Sequence, residues 1–266
     1  MDKSIGTDEN GVIVTDGLVL REITLNENDR LLTVLTGEHG RMTVLARGVK
    51  NLTSKRAYGL TPFSYSTFEF ERKGEKLRFH DSNVKKSFFD INDSVEGFAL
   101  ASYICEAAGE CAMENNDESE LLRLCLNMLF SVENKLKPVH ILKAVFELKA
   151  ACVLGFMPDT EYSIATGRSL AKGEKRYAFS LEEGGFAAES EFGKLGEALA
   201  GCIIVPGSVY NAVCHVVTSD QKKMLAFSID DAAVASFASL CEKYFLAKTE
   251  KHFKTLKYYR QTVGEA

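Results

Sequence analysis

The sequence has no tryptophan, only 4 prolines, and no two cysteines spaced as CxxC. Its seven cysteines, Cys105, Cys111, Cys125, Cys152, Cys202, Cys214 and Cys241, are odd in number, scattered, and mostly set inside apolar helical patterns. That usage argues against a disulfide framework and a zinc site, and fits buried thiols in a reducing compartment. The five histidines, His39, His80, His140, His215 and His252, stand far apart without the HxxxH spacing of a zinc pair. No glycine-rich phosphate loop occurs, since Gly184-Gly185 before Phe186 reads as a turn. Asp16, Glu22 and Asp29 are carboxylates whose spacing alone defines no acid–base pair. No run approaches the ~20 apolar residues of a membrane span, and Met1 to Asn10 lacks the basic start and apolar core of a secretory signal. The expectation is a cytoplasmic protein with no membrane segment, no cofactor, no metal and no catalytic centre.

What is present is ordinary for a folded protein. Of the 266 residues, 45% are hydrophobic and 26% charged, and a chain of this length is expected to form two or three compact units. The net charge of −5 does not advertise a polyanion partner, so a nucleic-acid site must be a local patch.

The pattern along the chain predicts an α+β protein. Between residues 11 and 90 short strands alternate with turns. Leu31 to Thr36, the loop Gly37-Glu38-His39-Gly40 and Arg41 to Ala46 form one hairpin; Thr67 to Glu71, Lys73-Gly74 and Lys76 to Phe79 form another. About five strands in so short a stretch suit a closed barrel, which removes exposed edges. Residues 91–155 carry helical periodicity: Ser94 to Met113, a helix opened by Asp117 and Glu120 as a capping box, and one from Pro138 to about Leu154 with Gly155 beyond it. Residues 156–200 read as a small inserted subdomain with one strand, Arg176 to Phe179. Residues 201–266 return to helices expected to pack on the helical domain, with Ser228 and Asp231 as a second capping box. Residues 1–10 are expected to be flexible.

The clearest local charge is the stretch Arg41 to Arg56, which holds Arg41, Arg47, Lys50, Lys55 and Arg56 and no acid. Placed on an outer barrel strand and the loop after it, these side chains could neutralise successive phosphates, and a solvated barrel face is about equally compatible. A second basic run, Lys243 to Arg260, fits the exposed face of a terminal helix and needs no ligand.

The order of Gly17-Leu18-Val19-Leu20, Gly37 and Gly40, Ala46-Arg47-Gly48 with the basic stretch, and Leu60-Thr61-Pro62-Phe63 resembles the start of RecO proteins. The likeness runs on through Gly155-Phe156-Met157-Pro158, Phe179-Ser180 and Glu182-Glu183-Gly184-Gly185 to Tyr244-Phe245 and Leu256-Lys257-Tyr258-Tyr259. It implies an N-terminal OB-fold barrel, a mainly helical domain, and a small zinc-finger-like insertion. It also implies a non-enzymatic recombination mediator that binds single- and double-stranded DNA, anneals complementary strands, and works with RecR and the C-terminal tail of single-strand-binding protein (SSB) to load RecA. The alternative is an interaction scaffold for RecR and SSB with marginal DNA affinity. Many members of the family carry four zinc-binding cysteines. By spacing those positions fall here on Ser163, Thr166, Ala188 and Glu191, which offer no thiolate, so the subdomain is expected to be metal-free and held by contacts of residues such as Ile164, Tyr177, Phe179 and Phe186.

Overall fold

The computed structural model describes residues 11–51, 57–74 and 76–264. The stretch 1–10, Lys55 and Arg56 lie outside the described residues. The chain divides into two compact units, one of residues 1–134 with 253–263 and one of residues 135–252 with 264–266.

The first unit is built on five strands: β1 (Val12–Thr24), β2 (Arg30–Thr36), β3 (Arg41–Ala46), β4 (Ser64–Lys73) and β5 (Lys76–Ser87). They close in the order β1-β2-β3-β5-β4, with β3 and β5 parallel and the other pairings antiparallel. That is the OB-fold barrel. Strand alternation explains its filling: β4 turns Phe68 and Phe70 inward beside Ile13, Val19, Leu32, Val34 and Val44, while Thr67, Glu69 and Glu71 face outward. Ser64, Ser66 and Ser82 are small, buried residues at one end. A Cβ on Gly59 would meet the Ser82 hydroxyl at 2.7 Å, so only small neighbours admit this backbone. Leu60 follows it into the core.

Helix α1 (Val95–Cys111) and helix α2 (Ser119–Glu133) join this unit. Ser94 caps α1 by accepting the Gly97 N–H at 3.1 Å. The capping box expected from Asp117 and Glu120 does not sit at the helix start, because the N-cap of α2 is Glu118; Asp117 accepts the Ser119 N–H at 2.9 Å and Glu120 pairs with Arg123. The β2–β3 hairpin tip is tied to the α1–α2 connection through Asn115 N–H to His39 O (3.0 Å), Glu118 N–H to Gly37 O (2.7 Å) and Arg41 N–H to Met113 O (2.9 Å). Gly40 is required there. Its φ is +65°, and a Cβ would lie 2.1 Å from the Met113 carbonyl oxygen.

In the second unit, helix α3 (Val139–Val153) follows Pro138 and is succeeded by Gly155 at φ 91°, as the sequence expects. The region 156–200 holds more order than its composition suggests. Strands β6 (Asp159–Ser163), β7 (Arg176–Ser180), β8 (Gly185–Ala188) and β9 (Ile203–Pro206) form one sheet in the order β6-β8-β7-β9. The short helix α4 (Phe192–Leu195) precedes β9. Aromatic packing supplies this unit's core, with Tyr177 stacked on Tyr210 at 4.1 Å and Phe179 against Phe186 at 4.6 Å between ring centroids. Helices α5 (Gly207–Thr218) and α6 (Asp231–Thr249) complete it. Lys149 on α3 donates to the carbonyls of Val216, Val217 and Ser219 at 3.1, 3.3 and 2.6 Å, closing the C-terminus of α5. Lys143, on the same helix, is buried between Glu147 at 2.8 Å and Glu242 of α6 at 2.6 Å.

The single terminal helix suggested by the basic run Lys243 to Arg260 is two. Glu250 takes a left-handed conformation (φ 52°) and ends α6. Helix α7 (Lys254–Val263) belongs to the first unit, where Phe253 packs edge-on against Tyr103 at 5.7 Å. The Glu106 carboxylate accepts the N–H groups of Lys254 (3.2 Å) and Thr255 (2.7 Å) and the Thr255 hydroxyl, neutralising the start of α7. Ser228 does not cap α6, whose N-cap is Asp230. Among the described residues, no helix is long and apolar enough to cross a membrane.

Candidate nucleic-acid interface

Of the basic residues singled out in the sequence, the structure describes Arg41, Arg47 and Lys50, and it separates the first from the other two. Arg41 begins β3, points outward, and is held by the helices. Its guanidinium donates to the Gly109 carbonyl at 2.8 Å, in the last turn of α1, and to Glu114 at 3.3 Å. It is a clamp between barrel and helix, which leaves it poorly placed to hold a phosphate.

Arg47 and Lys50 are exposed at the other end of β3. The chain leaves the barrel there through Gly48 (φ 64°), whose N–H donates to Asp29 at 3.1 Å, while the Val49 N–H donates to the Asn28 carbonyl at 2.6 Å. Asp29 also accepts from the Asn26 side chain at 3.0 Å. These two bonds, Asn26 foremost and then Gly48, with the charge of Arg47 nearby, hold its carboxyl below the usual pKa. Lys50 meets Glu27 at 3.0 Å, with both side chains largely in water, a pair worth little. The stretch is free of acid along the chain, but the fold lays the β1–β2 loop, with Glu27 and Asp29, beside it.

Other cations were not picked out from the sequence. β5 runs alongside β3 with Val44 opposite Leu77 and Leu45 opposite Arg78. Arg78 therefore shares the outer face with Leu45, and its Nε is buried with no hydrogen-bond partner. Arg21 is exposed on β1, opposite Thr33, which is opposite Thr43. The signal was there: alternation of Lys76-Leu77-Arg78-Phe79 sends Arg78 outward wherever Leu77 and Phe79 pack on the core. The pairing of β3 with β5 was not readable from it.

The carboxylates considered for chemistry are engaged elsewhere. Glu22 pairs with Arg30 at 2.6 Å. Asp16 accepts from Thr67 at 2.7 Å and from Lys85 at 2.5 Å. Its burial favours the neutral acid, but the Lys85 and Thr67 bonds outweigh this and lower its pKa. Nothing in their arrangement offers two carboxylates facing a common substrate.

Ser163, Thr166 and Glu191 do come together, without a thiol. Glu191 accepts hydroxyl hydrogen bonds from Ser163 at 2.6 Å and Thr166 at 3.0 Å. Burial raises the Glu191 pKa, but the donors Ser163 and Thr166, with the Ala188 backbone, prevail and hold it below its ordinary 4.5. Two hydroxyls, a methyl and one already satisfied carboxylate do not fit a tetrahedral zinc ion. A carboxylate hub ties the β6 turn to the end of β8 instead.

The closed five-stranded barrel thus places the first unit in the OB-fold class. The N-terminal domain of recombination protein O matches residues 12–88, and its C-terminal domain matches residues 93–202. The chain is 24% identical over 245 residues to DNA repair protein RecO of Acetivibrio thermocellus, covering 92% of this chain and 94% of that protein. It is 24% identical over 249 residues to DNA repair protein RecO of Caldicellulosiruptor bescii, covering 94% and 98%. For DNA repair protein RecO of an Anaeromyxobacter species the figures are 33% over 173 residues, covering 64% and 66%. The chain belongs to the recombination protein O family.

Proposed function

We propose that this protein acts in DNA repair as a recombination mediator without catalytic chemistry. It binds single- and double-stranded DNA at the end of the barrel where Arg47 and Lys50 lie, anneals complementary strands, and works with RecR and the SSB tail to load RecA on SSB-coated DNA. The observation that carries the DNA-binding step is the cluster of outward cations around β3, with Arg47 and Lys50 exposed at its end and Arg78 on the neighbouring strand. The face formed by β2 and β3 is the surface such barrels use for oligonucleotides. Lys55 and Arg56 extend the same basic stretch and are assigned to phosphate contacts with Arg47 and Lys50.

One observation favours the alternative, a scaffold for RecR and SSB with marginal DNA affinity. Glu27 and Asp29 lie against the basic stretch, in a chain whose net charge is −5. Titrating a labelled single strand with the protein alone, then with RecR present, separates the two. Saturable, salt-sensitive binding by the protein alone supports the mediator reading; binding only in the presence of RecR supports the scaffold.

A further inference from the structure

A water-facing antiparallel sheet ordinarily sends apolar side chains inward and polar ones outward. One row on this barrel does the opposite. Ile23 lies opposite Leu31, and Leu31 opposite Leu45, side by side across β1, β2 and β3 on the outer surface. Ile23 is 38% exposed, and Leu31 and Leu45 are half-buried. The row then runs through Leu45 to Arg78, whose buried Nε has no acceptor. A donor so placed is seldom left alone in a folded protein.

The helices do not explain this row, because they cover the opposite end of the face. There Leu35 also points outward but is fully buried, and its partner Arg41 reaches the Gly109 carbonyl of α1. The apolar row is bordered by exposed Arg21 and Arg47. An apolar strip edged with cations complements a chain that has flat apolar faces and a phosphate border.

We propose that Ile23, Leu31 and Leu45 form a platform for the unpaired bases of a single strand, with Arg78 donating to a phosphate oxygen at its end. The inference rests on the DNA-binding reading above and adds base contact to phosphate contact. The three platform side chains are aliphatic and carry no hydrogen-bonding group, so they hold any base face and read no base edge. Binding should therefore depend on the presence of bases and be indifferent to their identity.

The test compares an oligothymidine strand with an abasic deoxyribose-phosphate strand of equal length by fluorescence anisotropy. The wild-type protein should hold the oligothymidine about tenfold more tightly. In the L31T/L45T variant that preference should fall to within about twofold while affinity for the abasic strand is kept, because threonine retains strand propensity and removes the apolar surface. R78M should weaken both strands by the same factor. I23T, at the most exposed position, replaces the double variant if that one does not fold. Equal wild-type affinity for the two strands, or a preference that survives in L31T/L45T, overturns the platform but leaves phosphate binding standing. Failure to bind either strand overturns the DNA-binding reading and the platform with it.

Discussion

Glu191 joins the turn after β6 to the end of β8 through the hydroxyls of Ser163 and Thr166. The hub has two hydroxyl donors on one ionised acceptor, and a hydrogen bond to a charged group contributes about 1.5–3 kcal/mol when buried. Glu191 is only half-buried, so solvent screening reduces the pair to roughly 1–3 kcal/mol in total. E191A should lower the local opening free energy of the turn by about that amount, and E191Q, which keeps one acceptor oxygen, by about half. The effect belongs to one turn of a protein with two compact units, so a global unfolding midpoint is the wrong readout. Hydrogen exchange resolves it, at Ala165, whose N–H donates to the Ser163 hydroxyl at 3.2 Å, and at Gly167, whose N–H donates to the Ser163 carbonyl at 2.7 Å. The pH dependence has a definite sign. A carboxyl whose pKa is lower folded than unfolded adds stability that is fully present above the unfolded value, here an ordinary 4.5, and is lost as pH falls through the lowered folded value. Protection at Ala165 and Gly167 in the wild type should thus decline below about pH 4.5, and E191Q should show no such decline. Unchanged exchange in E191A, or the same acid dependence in E191Q, would refute the hub.

Three further substitutions probe the first unit's clamps and one of the second unit's buried lysines. R41A removes the bond to Gly109 and should cost about 1.5–3 kcal/mol in urea unfolding of the first unit, while single-strand affinity stays within about twofold, because no phosphate contact is lost. A large drop in affinity at unchanged stability would restore Arg41 to the DNA site. G40A places a Cβ against the Met113 carbonyl at a left-handed position and should cost more than about 3 kcal/mol, read as a large fall in soluble, folded protein. K149M strips three carbonyls of their shared donor and should cost about 2–4 kcal/mol, with hydrogen exchange accelerated first at the C-terminus of α5.

The barrel was readable because its strands obey two-residue alternation and its hairpins carry glycine turns; β4 is the plain case, with inward Phe68 and Phe70 between outward Thr67, Glu69 and Glu71. Helix starts were less readable. Asp117 and Ser228 sit where a capping residue would, yet the N-caps of α2 and α6 are Glu118 and Asp230. The strands β6, β8 and β9 are not legible because pieces of four or five residues leave too little room for a period to show; β7, equally short, is marked only by its aromatic pair Tyr177 and Phe179. The break at Glu250 rests on one left-handed backbone residue, which the spacing of the cations does not show. At the interface, proximity in sequence grouped Arg41 with Arg47, although a strand of six residues, β3, carries them to opposite ends of the barrel. Charge along a chain shows where cations are dense; only the pairing of β3 with β5 and the fold of the 25–29 loop show which ions share a surface.

The proposed DNA site is the basic end of the barrel, holding DNA through its phosphates. It is tested most directly by measuring single-strand affinity against salt for the wild type and for the variant with Arg47, Lys50 and Arg56 all changed to Glu. Wild-type affinity should fall steeply with salt, by a slope of about 0.7 per phosphate neutralised, and the folded variant should show no measurable binding. Unchanged affinity of that variant at low salt would contradict it.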